Sequence, residues 1–459
     1  MTVYMFAHKR IEITPTKNNG ANPWMGGYWF SGRASRLYIA NRKLYAQCIA
    51  IKPDSAPPLI MVRLDVVSTP PVVFDPIRAH VVAQGHTDAQ SFMLVSSHTH
   101  SGPAVPQSPD PVVQFGLPAS SVARIDAYAN WLVTTVKQLI DDTMVDLAAQ
   151  TDPVTLKYGE GTTTGLLDNR VPSFDDKIER VPVLAGYRGT TPAFVLFGFS
   201  SHPVSRSDDP FYDSDYPGVA TKVIEDSLNC PALFFLGCAG DQDPLIRGGN
   251  NETVAMGTAV ANAALAKIQS GLQTVDGAVT RSMQTADLPL VVNTENAQQR
   301  QSLITQYQAR RIQPGIAPQN LRFCDGILAE LGSNTSPNTV AVPIQCWKFG
   351  TDFAIMGLGG EVISRYDAFF RTAFAPNRLW VMGYANAVPC YIPDDKLLWL
   401  PRYESGWTEQ DGPNISGYGT AMTTYNWPVP MKASPTDSPI PVAGTAEFAM
   451  RTTGLAVLA

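Results

Sequence analysis

Nine short segments of the chain are apolar almost throughout, and they constrain its fold more than any other feature. They are residues 44–51, 59–67, 91–97, 181–187, 193–199, 232–238, 340–349, 353–358 and 379–385. An apolar run of this length, without polar alternation, is typical of a β-strand that is covered on both faces. The pattern therefore predicts sheets that are buried by other layers of structure.

Helical periodicity occupies several of the segments between these strands. In residues 122–139, apolar side chains recur every three or four positions and define one face; they are Val122, Ile125, Ala129, Leu132, Val136 and Leu139. Further helices are predicted at residues 216–228, 253–268 and 294–311. The predicted fold class is α/β, with mixed β-sheets covered by helices.

The sequence shows no internal repeat and no clear linker, so we predict a single catalytic domain over residues 1–459. Residues 427–444 contain five prolines and predict an extended surface segment before a short terminal helix.

Composition restricts the partners and the compartment. The formal net charge is -6 and no run of Lys or Arg occurs, so nucleic acid is not an expected partner. The six cysteines form no CxxC pair and predict free buried thiols.

The sequence contains no apolar run that approaches the length of a membrane span, about 20 residues. Without a signal-peptide pattern at the N-terminus we expect a cytoplasmic protein, or a secreted one if a signal was removed. The oligomeric state is left open.

Polar clusters follow five of the predicted strands. They are "SSHTHSGP" with His98 and His100, "SSHPVS" with His202, "AGDQDP" with Asp241 and Asp243, "GGEVIS" with Glu361, and "NAVPCYIP" with Tyr391. In open α/β sheets, sites form just beyond strand ends, where loops converge. We therefore expect these side chains to share one site.

The "HTH" stretch contains two of the chain's six histidines. In extended backbone, residues i and i+2 point to the same side, so His98 and His100 would face one cavity. The pair alone is compatible with a hydrogen-bonded pair at a strand end or with a metal site. Adding His202 and a carboxylate such as Glu361 favours zinc, for which imidazole and carboxylate are ordinary ligands.

The sequence contains no HExxH, GxSxG, Walker-type or GxGxxG motif, which argues against the common zincin, α/β-hydrolase and nucleotide-binding classes.

In order and spacing, these motifs resemble the catalytic domain of the neutral (non-lysosomal) ceramidase family, zinc amidases of lipid metabolism that cleave the amide of N-acylsphingosine. The resemblance covers most of the chain. It rests on "IEITP", "MGGYWFSGRASRLYIANRKLYAQCIAI", "SSHTHSGP", "LLDNRVPS", "SSHPVS", "DSDYPGVA", "GCAGDQDP", "GGEVISRY" and "GYANAVPCYIPDDKLLWLPRYESG". The separate C-terminal domain of the long ceramidases is not expected here.

The resemblance also implies the residues of the site. The zinc ligands would be His98, His202, Glu361 and Tyr391. His100, Arg170 of "DNR" and Tyr403 of "RYES" would surround the zinc-bound water and the substrate carbonyl. Judged without the family, Arg170 could equally form a surface ion pair and Tyr403 could be a packed aromatic residue.

One motif departs from the family pattern. The family has "GDxSP", with a serine, whereas this chain has "GDQDP", with Asp243 in place of that serine. We expect Asp243 to act as a proton carrier; the alternative is a turn-forming residue before Pro244. Asp241 is expected to organise a loop or cap a helix. Ceramide itself is therefore expected to be a poor substrate.

The resulting hypothesis is a zinc-dependent hydrolase that cleaves an amide bond in a small N-acyl compound by attack of zinc-bound water, without a covalent intermediate. Arg170 and Tyr403 would stabilise the oxyanion, and His100 or Asp243 would pass the proton to the leaving amine. A zinc esterase on the same scaffold and a non-catalytic binding protein with a degenerate site are the alternatives.

Overall fold

Three β-sheets, with helices packed against them, make up most of the described chain. The computed structural model describes residues 2–16, 19, 23–27, 42–54, 56–106, 117–171, 174–206, 210–290, 297–316, 318–333, 338–399, 431–435, 438 and 440–459. Tyr403 and residues 427–430, 436, 437 and 439 of the proline-rich segment lie outside these ranges.

The first sheet has four strands in the order β1-β2-β3-β4, in which only β3 and β4 are parallel. The strands are β1 (Tyr4–Glu12), β2 (Tyr45–Pro53), β3 (Leu59–Leu64) and β4 (Phe92–Ser96). One apolar cluster joins this sheet to helices α1 (Pro71–Ala83) and α2 (Ala119–Ala148). The predicted face of α2 supplies Leu132, Val136 and Leu139 to that cluster.

The second sheet has five strands in the order β11-β5-β7-β8-β9, in which only β8 and β9 are parallel. The strands are β5 (Thr155–Thr162), β7 (Arg180–Arg188), β8 (Thr191–Phe199), β9 (Ala232–Leu236) and β11 (Gln273–Val275). Helices α3 (Asp215–Leu228) and α4 (Asn250–Ser270) share an apolar cluster with it. Between these elements, β6 (Leu167–Asn169) and β10 (Gln242–Pro244) form a two-stranded antiparallel ribbon.

The third sheet has the order β12-β13-β14-β16, in which only β14 and β16 are parallel. The strands are β12 (Val279–Pro289), β13 (Thr339–Phe349), β14 (Phe353–Leu358) and β16 (Arg378–Met382). The helices after β11 are α5 (Ala297–Arg311), α6 (Pro318–Ser333), α7 (Ser364–Phe374), α8 (Asp395–Leu398) and α9 (Ala446–Leu458). A short parallel pair, β15 (Glu361–Val362) and β17 (Tyr391–Ile392), completes the strands.

A central apolar cluster is built from the strands of all three sheets. Met61 and Val95 come from the first sheet, Phe235 from the second, and Ile355 and Trp380 from the third. The sheets therefore bury one face against this common core and the other against helices, which explains why most of their inner strands are apolar throughout. The predicted class, mixed sheets covered by helices, is confirmed.

All six cysteines are free and buried, as predicted from their spacing. Among the residues described, no helix has the length and apolar character needed to cross a membrane.

The carboxyl ends of the three parallel strand pairs meet. The backbone N–H of Ser96, at the end of β4, donates to the carbonyl of Tyr384, just beyond β16. Gly237, beyond β9, donates to Phe199 at the end of β8, and Gly383 donates to Leu236. These bonds bring the polar loops after β4, β8, β9, β14 and β16 to one place.

Candidate active site

His98 occupies a left-handed backbone conformation immediately after β4, with φ of 61°. This conformation is uncommon outside glycine and is often found at functional sites. The expected extended geometry of "HTH" is therefore wrong, although the two rings do come together. A turn places Nε2 of His100 3.1 Å from Nε2 of His98.

His202 enters the site from the loop after β8. Its backbone N–H donates to the carbonyl of Gln242, and its Nδ1 lies 2.6 Å from the carbonyl oxygen of Ala239. Its ring centroid is 4.9 Å from that of His98. The loop after β9 thus fixes the orientation of an imidazole that follows β8.

Glu361 lies between the two imidazoles. Its Oε2 is 3.1 Å from Nε2 of His98 and 3.2 Å from Nε2 of His202. Glu361 is also the register partner of Tyr391 in the β15–β17 pair, so the two residues emerge side by side. Tyr391 is 5% exposed, and its ring stacks on that of His202 at 6.5 Å.

Hydrogen bonding at the far side of each ring defines which nitrogen faces Glu361. Nδ1 of His98 contacts the carbonyl oxygen of Val67, and Nδ1 of His202 contacts that of Ala239. A carbonyl oxygen only accepts, so Nδ1 carries a hydrogen in each ring, and a neutral ring then presents a lone pair at Nε2. Two lone pairs and a carboxylate oxygen therefore face one another, an arrangement that a cation between them would stabilise.

The separations also fit a metal ion. Ligands at the corners of a tetrahedron with zinc bonds of about 2.0–2.2 Å lie about 3.3–3.6 Å apart, close to the 3.1 and 3.2 Å separations from Glu361. The three imidazoles of His98, His100 and His202 also have donor atoms within 4.8 Å of one another. The residues present thus have the chemistry and spacing to hold a metal ion.

The electrostatics of the buried site favour a neutral His98 and a charged Glu361. Burial lowers the pKa of His98, which keeps the ring unprotonated. Burial alone would raise the pKa of Glu361, but the interactions with His98 and His202 outweigh it and hold the pKa well below its ordinary value.

Arg170 follows β6 and points toward Tyr391. Its backbone N–H donates to the carbonyl of Asp241, and its guanidinium donates to the Tyr391 hydroxyl oxygen at 2.8 Å and to the carbonyl of Gly240 at 2.6 Å. The half-buried guanidinium therefore contacts a candidate ligand, which places Arg170 within the site.

Asp241 organises the loops around the site. Its carboxylate accepts from the backbone N–H and hydroxyl of Ser364, each at 2.7 Å, and from the side-chain amide of Asn169 at 2.8 Å. Ser364 is the first residue of α7, so Asp241 caps that helix. The predicted loop-organising, helix-capping role is confirmed.

Asp243 belongs to β10, where it pairs with Asp168, rather than to a turn. Arg247 donates to its Oδ2 at 2.9 Å. Burial raises the pKa of Asp243, but the positive charges of Arg170 and Arg247 outweigh it and leave the pKa below its ordinary value. Asp243 is therefore a charged, partly buried carboxylate beside His202.

Sequence reasoning missed Tyr384. Its hydroxyl donates to Oε2 of Glu361 at 3.3 Å, and its ring centroid lies 4.4 Å from that of His98. Tyr384 lies two residues after the end of β16, so the same rule of polar residues after apolar strands could have found it. Tyr403 lies outside the described residues, and its role stays a prediction.

Solved structures show what this chain is similar to. Neutral ceramidase from Pseudomonas aeruginosa superposes with a TM-score of 0.66 at 19% identity, over 93% of this chain and 73% of the ceramidase chain. A ceramidase complexed with C2 superposes with a TM-score of 0.65 at 19% identity, over 97% and 79% of the two chains. No protein-family model and no curated protein sequence matches. The chain therefore has the ceramidase-like fold that its motifs implied.

Proposed function

We propose that this protein is a zinc-dependent amidohydrolase that acts on small N-acyl compounds. The observation that carries the proposal is the convergence of two imidazole Nε2 atoms on one buried carboxylate oxygen, at His98, His202 and Glu361. The ceramidase-like fold supports it, because the neighbouring structures are hydrolases by name.

His98, His202, Glu361 and Tyr391 would hold the metal. A bound zinc ion supplies a Lewis acid for the carbonyl oxygen and lowers the pKa of a water molecule to about 7. Backbone carbonyls fix both histidine rings from the Nδ1 side, an arrangement that orients metal-bound imidazoles in general. The ligand geometry is thus held by β3, β4, β8 and β9 rather than by mobile side chains.

Arg170 would stabilise the negative charge that develops on the carbonyl oxygen when water attacks the amide carbon. Its guanidinium is already oriented by Tyr391 and Gly240, and preorganised donors of this kind contribute strongly to acyl transfer. Tyr403 is proposed as a second donor to the same oxygen.

His100 would take a proton from the attacking water and deliver it to the amine nitrogen as the C–N bond breaks. Its Nε2 lies 3.1 Å from that of His98, so it is at the side of the site where the other donor atoms converge. The products are a carboxylic acid and a free amine, and no covalent intermediate is needed. Asp243 is the alternative proton carrier.

A substrate panel tests the function. Matched amides and esters with short and long acyl chains, long-chain ceramide included, would be assayed before and after zinc removal by a chelator and after zinc is restored. We expect zinc-dependent cleavage of short or polar N-acyl amides and weak cleavage of ceramide. Zinc-dependent cleavage of esters alone would identify an esterase. Turnover that is unaffected by complete zinc removal would contradict the proposal.

A matched pair of variants links activity to the site. Glu361→Gln removes the central carboxylate, whereas Glu12→Gln removes a carboxylate that pairs with Lys43 at the surface. Only Glu361→Gln should abolish turnover. Full activity in Glu361→Gln would contradict the assignment of the metal site. No hydrolysis of any compound by zinc-loaded protein would leave a binding protein as the better explanation.

A further inference from the structure

A second group of histidines lies between helices α1 and α2. His80 is in the last turn of α1, and His86 lies just beyond its end. Nε2 of His80 is 2.8 Å and Nε2 of His86 is 2.6 Å from the same atom, Oδ1 of Asp141 on α2. This cluster shares no residue with the candidate active site.

The end of α1 explains why two histidines six positions apart meet. Gly85 adopts a left-handed conformation with φ of 68°. The N–H of Gly85 donates to the carbonyl of Val82, and the N–H of His86 donates to that of Val81. These two bonds define a Schellman motif, which reverses the chain and returns His86 toward the last helical turn.

The donor set repeats that of the candidate active site. In both places, two imidazole Nε2 atoms converge on a single carboxylate oxygen. The ligand atoms of His80, His86 and Asp141 all lie within 4.8 Å of one another. If the two N···O separations increased by about half an ångström or more, they would reach the spacing of tetrahedral zinc ligands, about 3.3–3.6 Å.

Exposure distinguishes the two sites. The side chains of His80 and His86 are each 18% exposed and that of Asp141 is 33% exposed. An ion can therefore reach the cluster from solvent, and water can complete its coordination. Imidazole with carboxylate suits zinc and neighbouring transition metals rather than calcium or magnesium.

We propose that His80, His86 and Asp141 form a second zinc site, which joins the end of α1 to α2. The ion replaces the two N–H···O contacts with three metal–ligand bonds. Because an ion that binds only the folded chain stabilises it, zinc should strengthen the attachment of α1 to α2.

The first test needs no variant. Crystals of the protein grown with zinc would be measured above and below the zinc absorption edge. We expect an anomalous difference peak between His80, His86 and Asp141, resolved from any peak at Glu361. No peak there at millimolar zinc would overturn the proposal, whatever is found at the candidate active site.

The second test counts zinc in solution by calorimetric titration and elemental analysis. Asp141→Asn is compared with Asp142→Asn. The second variant changes the neighbouring exposed carboxylate, which accepts a hydrogen bond from the side-chain amide of Gln138. We expect the wild type and Asp142→Asn to bind one more zinc than Asp141→Asn. Equal stoichiometry and affinity in all three proteins would refute the second site.

His86→Asn provides a milder variant in case Asp141→Asn folds poorly. Loss of an outer-shell partner weakens metal binding by about 10–100-fold, and loss of a direct ligand should weaken zinc binding at this site by at least as much. Zinc should also raise the unfolding temperature of the wild type more than that of His86→Asn. An equal rise in both would show that the cluster holds no zinc.

Discussion

Asp243 approaches His202 from the Nδ1 edge of the ring, with its Oδ1 3.9 Å from Nδ1, whereas Glu361 faces the Nε2 edge at 3.2 Å. The two carboxylates thus lie on opposite sides of one imidazole. Glu361 is placed to share a cation with His202. Asp243 lies at the opposite edge of the ring, where its negative charge acts on the imidazole without contact to Nε2. We therefore propose that His100, rather than Asp243, transfers the proton.

Replacement of His100 by Gln should lower kcat by about 10²–10⁴-fold, the range for loss of a general acid or base. Asp243→Asn should have a smaller effect, because its carboxylate lies away from the Nε2 atoms. Both variants should keep their zinc, which elemental analysis of the purified proteins would verify.

Two outcomes of this comparison would contradict the role proposed for His100. If Asp243→Asn is impaired as severely as expected for His100→Gln, while His100→Gln remains active, then Asp243 carries the proton. If His100→Gln loses its zinc, then His100 is a metal ligand, a role that its 3.1 Å contact with His98 Nε2 also permits.

Replacement of Arg170 by Lys should lower kcat by about 10²–10³-fold, the loss that removal of one oxyanion donor causes. The reason is geometric. Nη2 of the guanidinium donates to both Tyr391 and Gly240, and the planar group has further N–H donors for the substrate oxygen, whereas lysine has a single ammonium nitrogen on a flexible stem. Lys177→Arg, at a surface position paired with Asp168, is the matched control. A large rise in KM with unchanged kcat would show instead that Arg170 only binds substrate.

Each of the nine apolar segments contains a strand, because most of its residues are buried and its sequence reflects that burial. β1 and β12 were not predicted. Both strands are only partly buried, and their exposed positions carry polar residues such as Arg10 and Gln284. Helix α1 was also missed, since Pro76 lies within it and proline usually ends a helix.

The site was predictable as far as strand ends determine it. The loops that carry His98, His202, Glu361 and Tyr391 all follow apolar strands. The rest depends on contacts between distant segments, which one sequence does not encode in a readable pattern. The left-handed turn at His98 and the pairing of Glu361 with Tyr391 are of this kind.

Gly27 is expected to be essential for the position of His100. A Cβ atom at Gly27 would lie 2.5 Å from Cγ of His100, and the residue has φ of 99°. Gly27→Ala should therefore displace the ring, and a displacement of about 1 Å can lower activity about 10²-fold. Zinc content and the rate of turnover report the effect.

Gly332→Ala is the control for that variant. Gly332 lies in α6, and a Cβ atom there would meet nothing within 4 Å. Alanine should stabilise the helix by up to about 1 kcal/mol without a loss of activity. Wild-type activity in Gly27→Ala would mean that the loop yields and that His100 does not require this contact.

His8 should make the stability of the protein depend on pH between about 6.5 and 4. Burial, together with the positive charge of Arg10, lowers the pKa of His8 from 6.5 to about 4. Below pH 6.5 the unfolded chain therefore binds a proton that the folded chain refuses until about pH 4. The stabilisation is complete above the unfolded pKa and is lost progressively as pH falls toward the folded pKa, by up to about 3 kcal/mol in total.

The variant His8→Gln has no titrating side chain at this position. As pH falls, the unfolding free energy of the wild type should therefore decrease relative to that of the variant. Urea unfolding at several pH values from 7 to 4.5 measures that difference. A difference that stays constant across this range would show that His8 titrates alike in the folded and unfolded chains.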